Sequence, residues 1–172
     1  MTKALKKRMT PASSTRKAAQ PGNGPLELEA LVGYNLRRAH SVQRARFLAV
    51  FGPHGIRPVQ LSILGLVRDH PRIKQSDLGR ALEIKRANIV ALLDELEDRH
   101  LIVRKRAKTD RRVYVLELTP TGRKVAAELL TLHARLEEDL VSCLGARERA
   151  QLLKLLKKVR RLGTFPALDD GE

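Results

Sequence analysis

The stretch "KQSDLGRALEIKRANIVALLDELEDRHLI", Lys74 to Ile102, decides the fold. Ser76 is a candidate N-cap for a short helix, Asp77 to Leu82. Glu83 to Lys85 makes a tight connection, and a longer helix runs from Arg86 to about Arg99. A helix pair of this size predicts a helix-turn-helix. In the second helix Ile89, Leu92, Leu93 and Leu96 recur at i, i+3, i+4 and i+7, so they face a core. Lys85, Arg86 and Asn88 stand at its start, and Asp94, Glu95, Glu97 and Asp98 crowd its second half. The helix dipole favours the reverse arrangement by about 0.3–1 kcal/mol per charge. Local helix stability therefore does not account for the pattern, and DNA does. In a helix-turn-helix the start of the second helix meets base edges in the major groove. Arg86 can pair with guanine and Asn88 with adenine, with Lys85 on phosphate.

Outward from this pair, Leu101 to Lys105 and Val113 to Leu118 read as short strands around a basic loop. This hairpin would present Lys105, Arg106, Lys108, Arg111 and Arg112 at its tip. Narrow minor grooves concentrate negative potential and attract such cations. Asp110 is an acid in a cationic loop, so its expected role is to accept hydrogen bonds from Arg112 or loop amides. Thr119 reads as an N-cap with Pro120 at the first helical position.

The flanks are helical. Leu28, Leu31, Val32, Leu36 and Ala39 begin a periodic run that Gly52-Pro53 ends, and a second helix follows Pro58 and stops before Pro71. Val125, Leu129, Leu132, Leu136 and Leu140 form one late stripe; Leu152, Leu153, Leu156, Val159 and Leu162 form another, with Gly145 between. These helices carry more leucine than a small winged domain covers, which predicts pairing with a second copy. The fold class is mainly α with a small β-hairpin. Its expected parts are a disordered basic tail (1–25), an N-terminal dimerisation helix (26–56), a winged helix-turn-helix (57–119), C-terminal dimerisation helices (120–163) and an acidic tail (164–172).

Composition agrees. The 172 residues carry a formal net charge of +15, which points to a polyanionic partner, double-stranded DNA first. The basic tail holds Lys3, Lys6, Lys7, Arg8, Arg16 and Lys17 and no acid. No apolar run reaches the roughly 18 residues of a membrane span. With Cys143 as the single cysteine, no internal disulfide forms, and a cytoplasmic protein is expected. Cys143 reads as a small buried residue, or alternatively as a redox switch. No phosphate loop, HExxH or Gly-x-Ser-x-Gly motif is present, so an enzyme is not expected. No cofactor or metal is expected either, since the five histidines are scattered. A basic architectural or RNA-binding protein without a ligand switch is the second reading of the composition.

The pattern Asp110-x-Arg112-x-x-x-Leu116-x-Leu118-Thr119-x-x-Gly122 resembles the wing signature of the MarR (multiple antibiotic resistance regulator) family. "LLDELEDRHLIVR" resembles that family's recognition helix and its exit. The resemblance covers about Leu26 to Gly163. It implies a homodimeric regulator, usually a repressor, that leaves a pseudo-palindromic operator when a small ligand binds. It also implies Arg112 in the minor groove, oriented by Asp110, and an effector pocket between the dimerisation helices and the winged domain. The first helix offers that pocket Tyr34, Arg37, Arg38, His40, Ser41, Arg44 and Phe47. Such arginines suit an anionic effector, either an aromatic carboxylate or an acyl-coenzyme A thioester. The stretch from Gly55 to Glu97 looks similar to regulators of aromatic-acid breakdown that sense such thioesters.

Overall fold

A computed structural model describes residues 27–107, 110 and 112–162. The expected tails at 1–25 and 164–172 lie outside the described residues. The chain divides into two units at Arg37/Arg38. In the first, a short 3-10 turn at Leu28–Ala30 leads into helix α1 (Val32–Phe51). The Asn35 amide donates to the Glu29 carbonyl at 2.7 Å and to the Leu31 carbonyl at 2.9 Å, tying turn to helix.

The second unit holds the rest of α1, then α2 (Pro58–Asp69), β1 (Ile73–Lys74), α3 (Gln75–Ala81), α4 (Arg86–Asp98), β2 (Ile102–Arg106), β3 (Tyr114–Leu118), α5 (Pro120–Leu140) and α6 (Ala146–Arg160). The strands form one antiparallel sheet in the order β1-β3-β2. Ile73 faces Leu116 across one ladder, and Ile102 faces Leu118 across the other. Two extended residues therefore sit beside the expected hairpin: β1 is a third strand that the sequence pattern did not predict. Its two residues are too few for a periodic signal, and it exists through its pairing with β3.

That strand also corrects the start of α3. Lys74, still extended, occupies the N-cap position, and Ser76 lies inside the first turn with no capping role. The start of α5 is as expected: the Thr119 hydroxyl accepts from the Gly122 amide at 2.8 Å, with Pro120 at the first position.

The core of the second unit is apolar and continuous. Phe47 and Phe51 of α1, Ile63, Leu64 and Val67 of α2, Leu78 of α3, Leu93 and Leu96 of α4, Ile102, Leu116 and Leu129 are all fully buried. Both late helices were expected to leave their stripes for a partner. The structure corrects this for α5, whose Ala126, Leu129 and Leu136 are buried in the chain's own core, chiefly beside α2. On α6 the stripe is open: Leu152, Leu153, Leu155, Leu156 and Val159 are exposed, as is Leu162 just beyond the helix. On α1, Leu36, Val42 and Leu48 are exposed as well.

One glycine is demanded by space. A Cβ on Gly122 would stand 1.8 Å from the Leu101 carbonyl oxygen, far inside contact distance. The start of α5 thus lies directly on the chain leaving α4. The Thr119 amide donates to that same carbonyl at 3.1 Å, and the Thr119 hydroxyl donates to the His100 carbonyl at 2.6 Å.

Candidate nucleic-acid interface

Helices α3 and α4 pack through Leu78, Gly79 and Ile89, all buried, and the chain turns between them at Glu83, with φ 55°. The Ile84 amide donates back to the Gly79 carbonyl at 2.8 Å, which closes the turn and aims the start of α4 outward. There Lys85, Arg86 and Asn88 are exposed, and among the described residues none of their side chains has a partner.

The wing lies across a groove from this pair. About 370 Å³ of space is lined by Gln75, Ser76, Gly79, Arg80, Ile84, Arg86, Ile89, Arg112, Val113 and Tyr114. Three residues singled out in the sequence, Ser76, Arg86 and Arg112, therefore share one concave face. Gln75, Arg80 and Tyr114 join them without having been anticipated. A signal existed for two of them: Ser76 and Arg80 stand at i, i+4 on α3, and Arg112 and Tyr114 stand at i, i+2 approaching a strand. Arg80 also meets Asp77 at 3.0 Å.

At the wing tip the Ala107 amide donates to the Val113 carbonyl at 2.9 Å, and the Val113 amide to the Asp110 carbonyl at 3.0 Å. The Asp110 carboxylate accepts from the Arg112 backbone amide at 2.9 Å. Asp110 thus shapes the turn that carries Arg112, and no contact between its carboxylate and the Arg112 guanidinium is present. Lys108 and Arg111, expected at the tip, lie outside the described residues. Lys105 was also expected there, and this is corrected. It sits within β2 opposite Val115, with its ammonium 2.7 Å from the Glu117 carboxylate. That ammonium, together with the Arg72 guanidinium 3.0 Å from the same carboxylate, holds the Glu117 carboxyl below its usual range. Arg106 stands 5.2 Å over the Tyr114 ring.

The acids of α4 have a role the sequence did not disclose. The Arg104 guanidinium of β2 donates to Glu97 at 2.8 Å and also meets Asp94, while the Arg104 amide donates to Glu97 at 3.0 Å. Burial opposes charge on this guanidinium, but the two carboxylates outweigh it, and its pKa rises. Glu95 meets Arg57 and accepts from the buried Gln60 amide at 2.8 Å. The charge order of α4 is thus held by tertiary partners, in addition to any benefit on DNA.

The expected effector residues lie along α1. Tyr34 is half-buried, with the Arg37 guanidinium 5.2 Å from its ring. Arg38, His40, Ser41 and Arg44 are exposed. Phe47 departs from that surface: it is buried and stacks on Phe51 with ring centroids 4.4 Å apart, so it serves the core. Cys143, expected to be buried, is exposed, because α5 ends at Leu140 and the cysteine falls in the turn before α6. Among the described residues no helix is long and apolar enough to cross a membrane.

A model of the MarR family matches residues 54–113, the segment from just before α2 to the wing. The chain is 32% identical over 131 residues to a protein assigned to regulation of the hcr operon in Thauera aromatica, covering 76% of this chain and 79% of that one. It is similar to the transcriptional repressor CouR bound to a 23-mer DNA duplex, at 40% identity and TM-score 0.72, over 77% of this chain and 94% of that one. It is similar to CouR bound to p-coumaroyl-CoA at 36% identity and TM-score 0.70, over 81% of this chain and 99% of that one.

Proposed function

The chain belongs to the MarR family of transcriptional regulators, and on that premise we propose that it is a homodimeric, effector-released repressor. Arg86 reads the major groove of a pseudo-palindromic operator, and Arg112 enters the adjacent minor groove. The effector is an aromatic acyl-coenzyme A thioester.

The observation that carries the reading is the shared groove. Arg86 and Arg112 line it from two separate elements, and neither guanidinium has a partner among the described residues. An arginine left free at a helix start is suited to bidentate pairing with guanine, and one on a wing tip to the minor groove. Lys85 contacts phosphate, Asn88 reaches a base edge, and Ser76 hydrogen-bonds the backbone from α3. Lys105, Lys108 and Arg111 add sequence-independent attraction.

The open apolar faces of α1 and α6 support self-association. Leu162 is 75% exposed and Leu48 53% exposed, and a second copy would remove such surface from water. The dimerising parts are then 26–56 and, within 120–163, the face of α6, with 57–119 as the reader. A two-fold pair places its two readers about 34 Å apart along the duplex.

The effector class rests on the CouR complex with p-coumaroyl-CoA and on the chemistry of α1. Tyr34 offers a ring, and Arg37, Arg38 and Arg44 offer guanidinium groups to phosphates, with His40 and Ser41 as further donors. An aromatic carboxylate alone would use fewer of them.

The test is release from DNA. An operator duplex is selected from random-sequence DNA by the protein, labelled, and followed by anisotropy while p-coumaroyl-CoA, coenzyme A or p-coumarate is added. Release by the thioester alone is the expected result. Release by the free acid alone would replace the effector class. Failure to enrich any sequence during selection would favour the architectural alternative and overturn the reading.

A further inference from the structure

A wing and a helix that must enter neighbouring grooves together gain from being held at a fixed separation, because mobility lost on binding costs affinity. Burial along β2 fades outward: Ile102 is buried, Val103 and Arg104 are partly covered, and Lys105 and Arg106 are exposed. Arg104 is the last partly covered residue before the exposed end of the strand. Its guanidinium meets two carboxylates, Asp94 and Glu97, which stand three residues apart on one face of α4. Glu97 also accepts from the Arg104 backbone amide, so one carboxylate grips both the side chain and the main chain of the wing strand. The fork of a guanidinium fixes direction as well as distance.

We infer that Arg104 is a positioning residue for DNA binding. Its clasp of Asp94 and Glu97 locks the wing to the recognition helix, so that Arg112 and Arg86 engage their grooves as one rigid reader. The base of the sheet is held independently by the buried side chains of Ile102, Leu116 and Leu118. Beyond Arg104 the wing keeps two buried side chains, Val115 and Ala107, so loss of the clasp loosens its aim relative to α4 while the fold persists. Arg104 itself stands within the clasp and need not touch DNA. The inference rests on the proposed reading by Arg86 and Arg112 and goes beyond it by assigning the coupling between them.

The test is a double-mutant cycle on the selected operator duplex, with wild type, R112A, R104Q and the double variant. In the wild-type background R112A is expected to weaken binding about tenfold or more. In the R104Q background the same change is expected to cost less than about threefold, because a loosened wing already forfeits its minor-groove contact. If Arg104 merely adds charge or stability, R104Q weakens both proteins by a common factor and the Arg112 ratio stays the same. That equality would overturn the inference and leave the proposed function standing. Should R104Q not fold, E97Q, which leaves Asp94 to the guanidinium, supplies the second background with the same readout. No effect of R112A in wild type would instead remove the wing reading itself, and the inference with it.

Discussion

At the C-terminal end of α4 almost every polar side chain is engaged. Asp94 and Glu97 clasp Arg104, Glu95 joins Arg57 to Gln60, and Arg99 donates to the carbonyls of His54 and Gly55 at 3.0 and 2.9 Å. Just beyond it, His100 and Leu101 are stapled to the start of α5 by Thr119. At the N-terminal end of the same helix, Lys85, Arg86 and Asn88 have no side-chain partner among the described residues. One end is built into the body and the other is left open. Direct contact with DNA and the support behind it are thus separated along a single helix. Changes at the open end should move DNA affinity alone, whereas changes at the engaged end should move unfolding and, at the Arg104 clasp, the aim of the wing as well.

The comparison can be broken at its strongest point with Gly122→Val. The added side chain would collide with the Leu101 carbonyl, which is backbone and cannot rotate away. A loss of about 3 kcal/mol, at the upper end for overpacking, is expected in urea unfolding. A stability within error of wild type would mean that the staple is not tight. Next is Arg86→Ala at the open end. It should cost about 1–3 kcal/mol of operator affinity, confined to one base position in each half-site, with the unfolding midpoint unchanged. A uniform loss on all sequences would make Arg86 a phosphate contact. Thr119→Ala removes the cap of α5 and one strut of the staple, and about 1 kcal/mol of stability should go with it. DNA specificity should be untouched, which a binding isotherm on mismatched operators would check.

The smallest effect concerns acid. The Lys105 hydrogen bond, with Arg72 nearby, lowers the Glu117 carboxyl. A lowered folded-state value means stability present above the unfolded carboxylate range and lost as pH falls through the lowered one. Glu117→Gln should therefore cost stability at neutral pH and converge on wild type in strong acid. Parallel curves at all pH values would deny the ion pair any role.

Much of this contrast was readable in the sequence, and the parts that were not share a cause. The helix boundaries marked by Pro58, Thr119 and Pro120 follow from local chemistry, as does the cationic head of α4. What escaped depends on partners far along the chain. β1 needs Leu116 to be a strand, and its extended Lys74 moved the cap away from Ser76. The sequence accounts for the acids of α4 by DNA alone, and their partners Arg57 and Arg104 come from other parts of the chain. Phe47 shares α1 with the arginines, but its pairing with Phe51 at i, i+4 turns it into the core. The stripe of α5 and that of α6 look alike in sequence; only packing covers the first and leaves the second open.

Methylation protection by dimethyl sulfate tests the central claim most directly, because the reagent marks guanine N7 in the major groove and adenine N3 in the minor groove of the same operator. Wild type should protect both, R86A should lose the guanine protection alone, and R112A the adenine protection alone. If both variants protect the same bases as wild type, neither arginine reads a groove and the account is wrong.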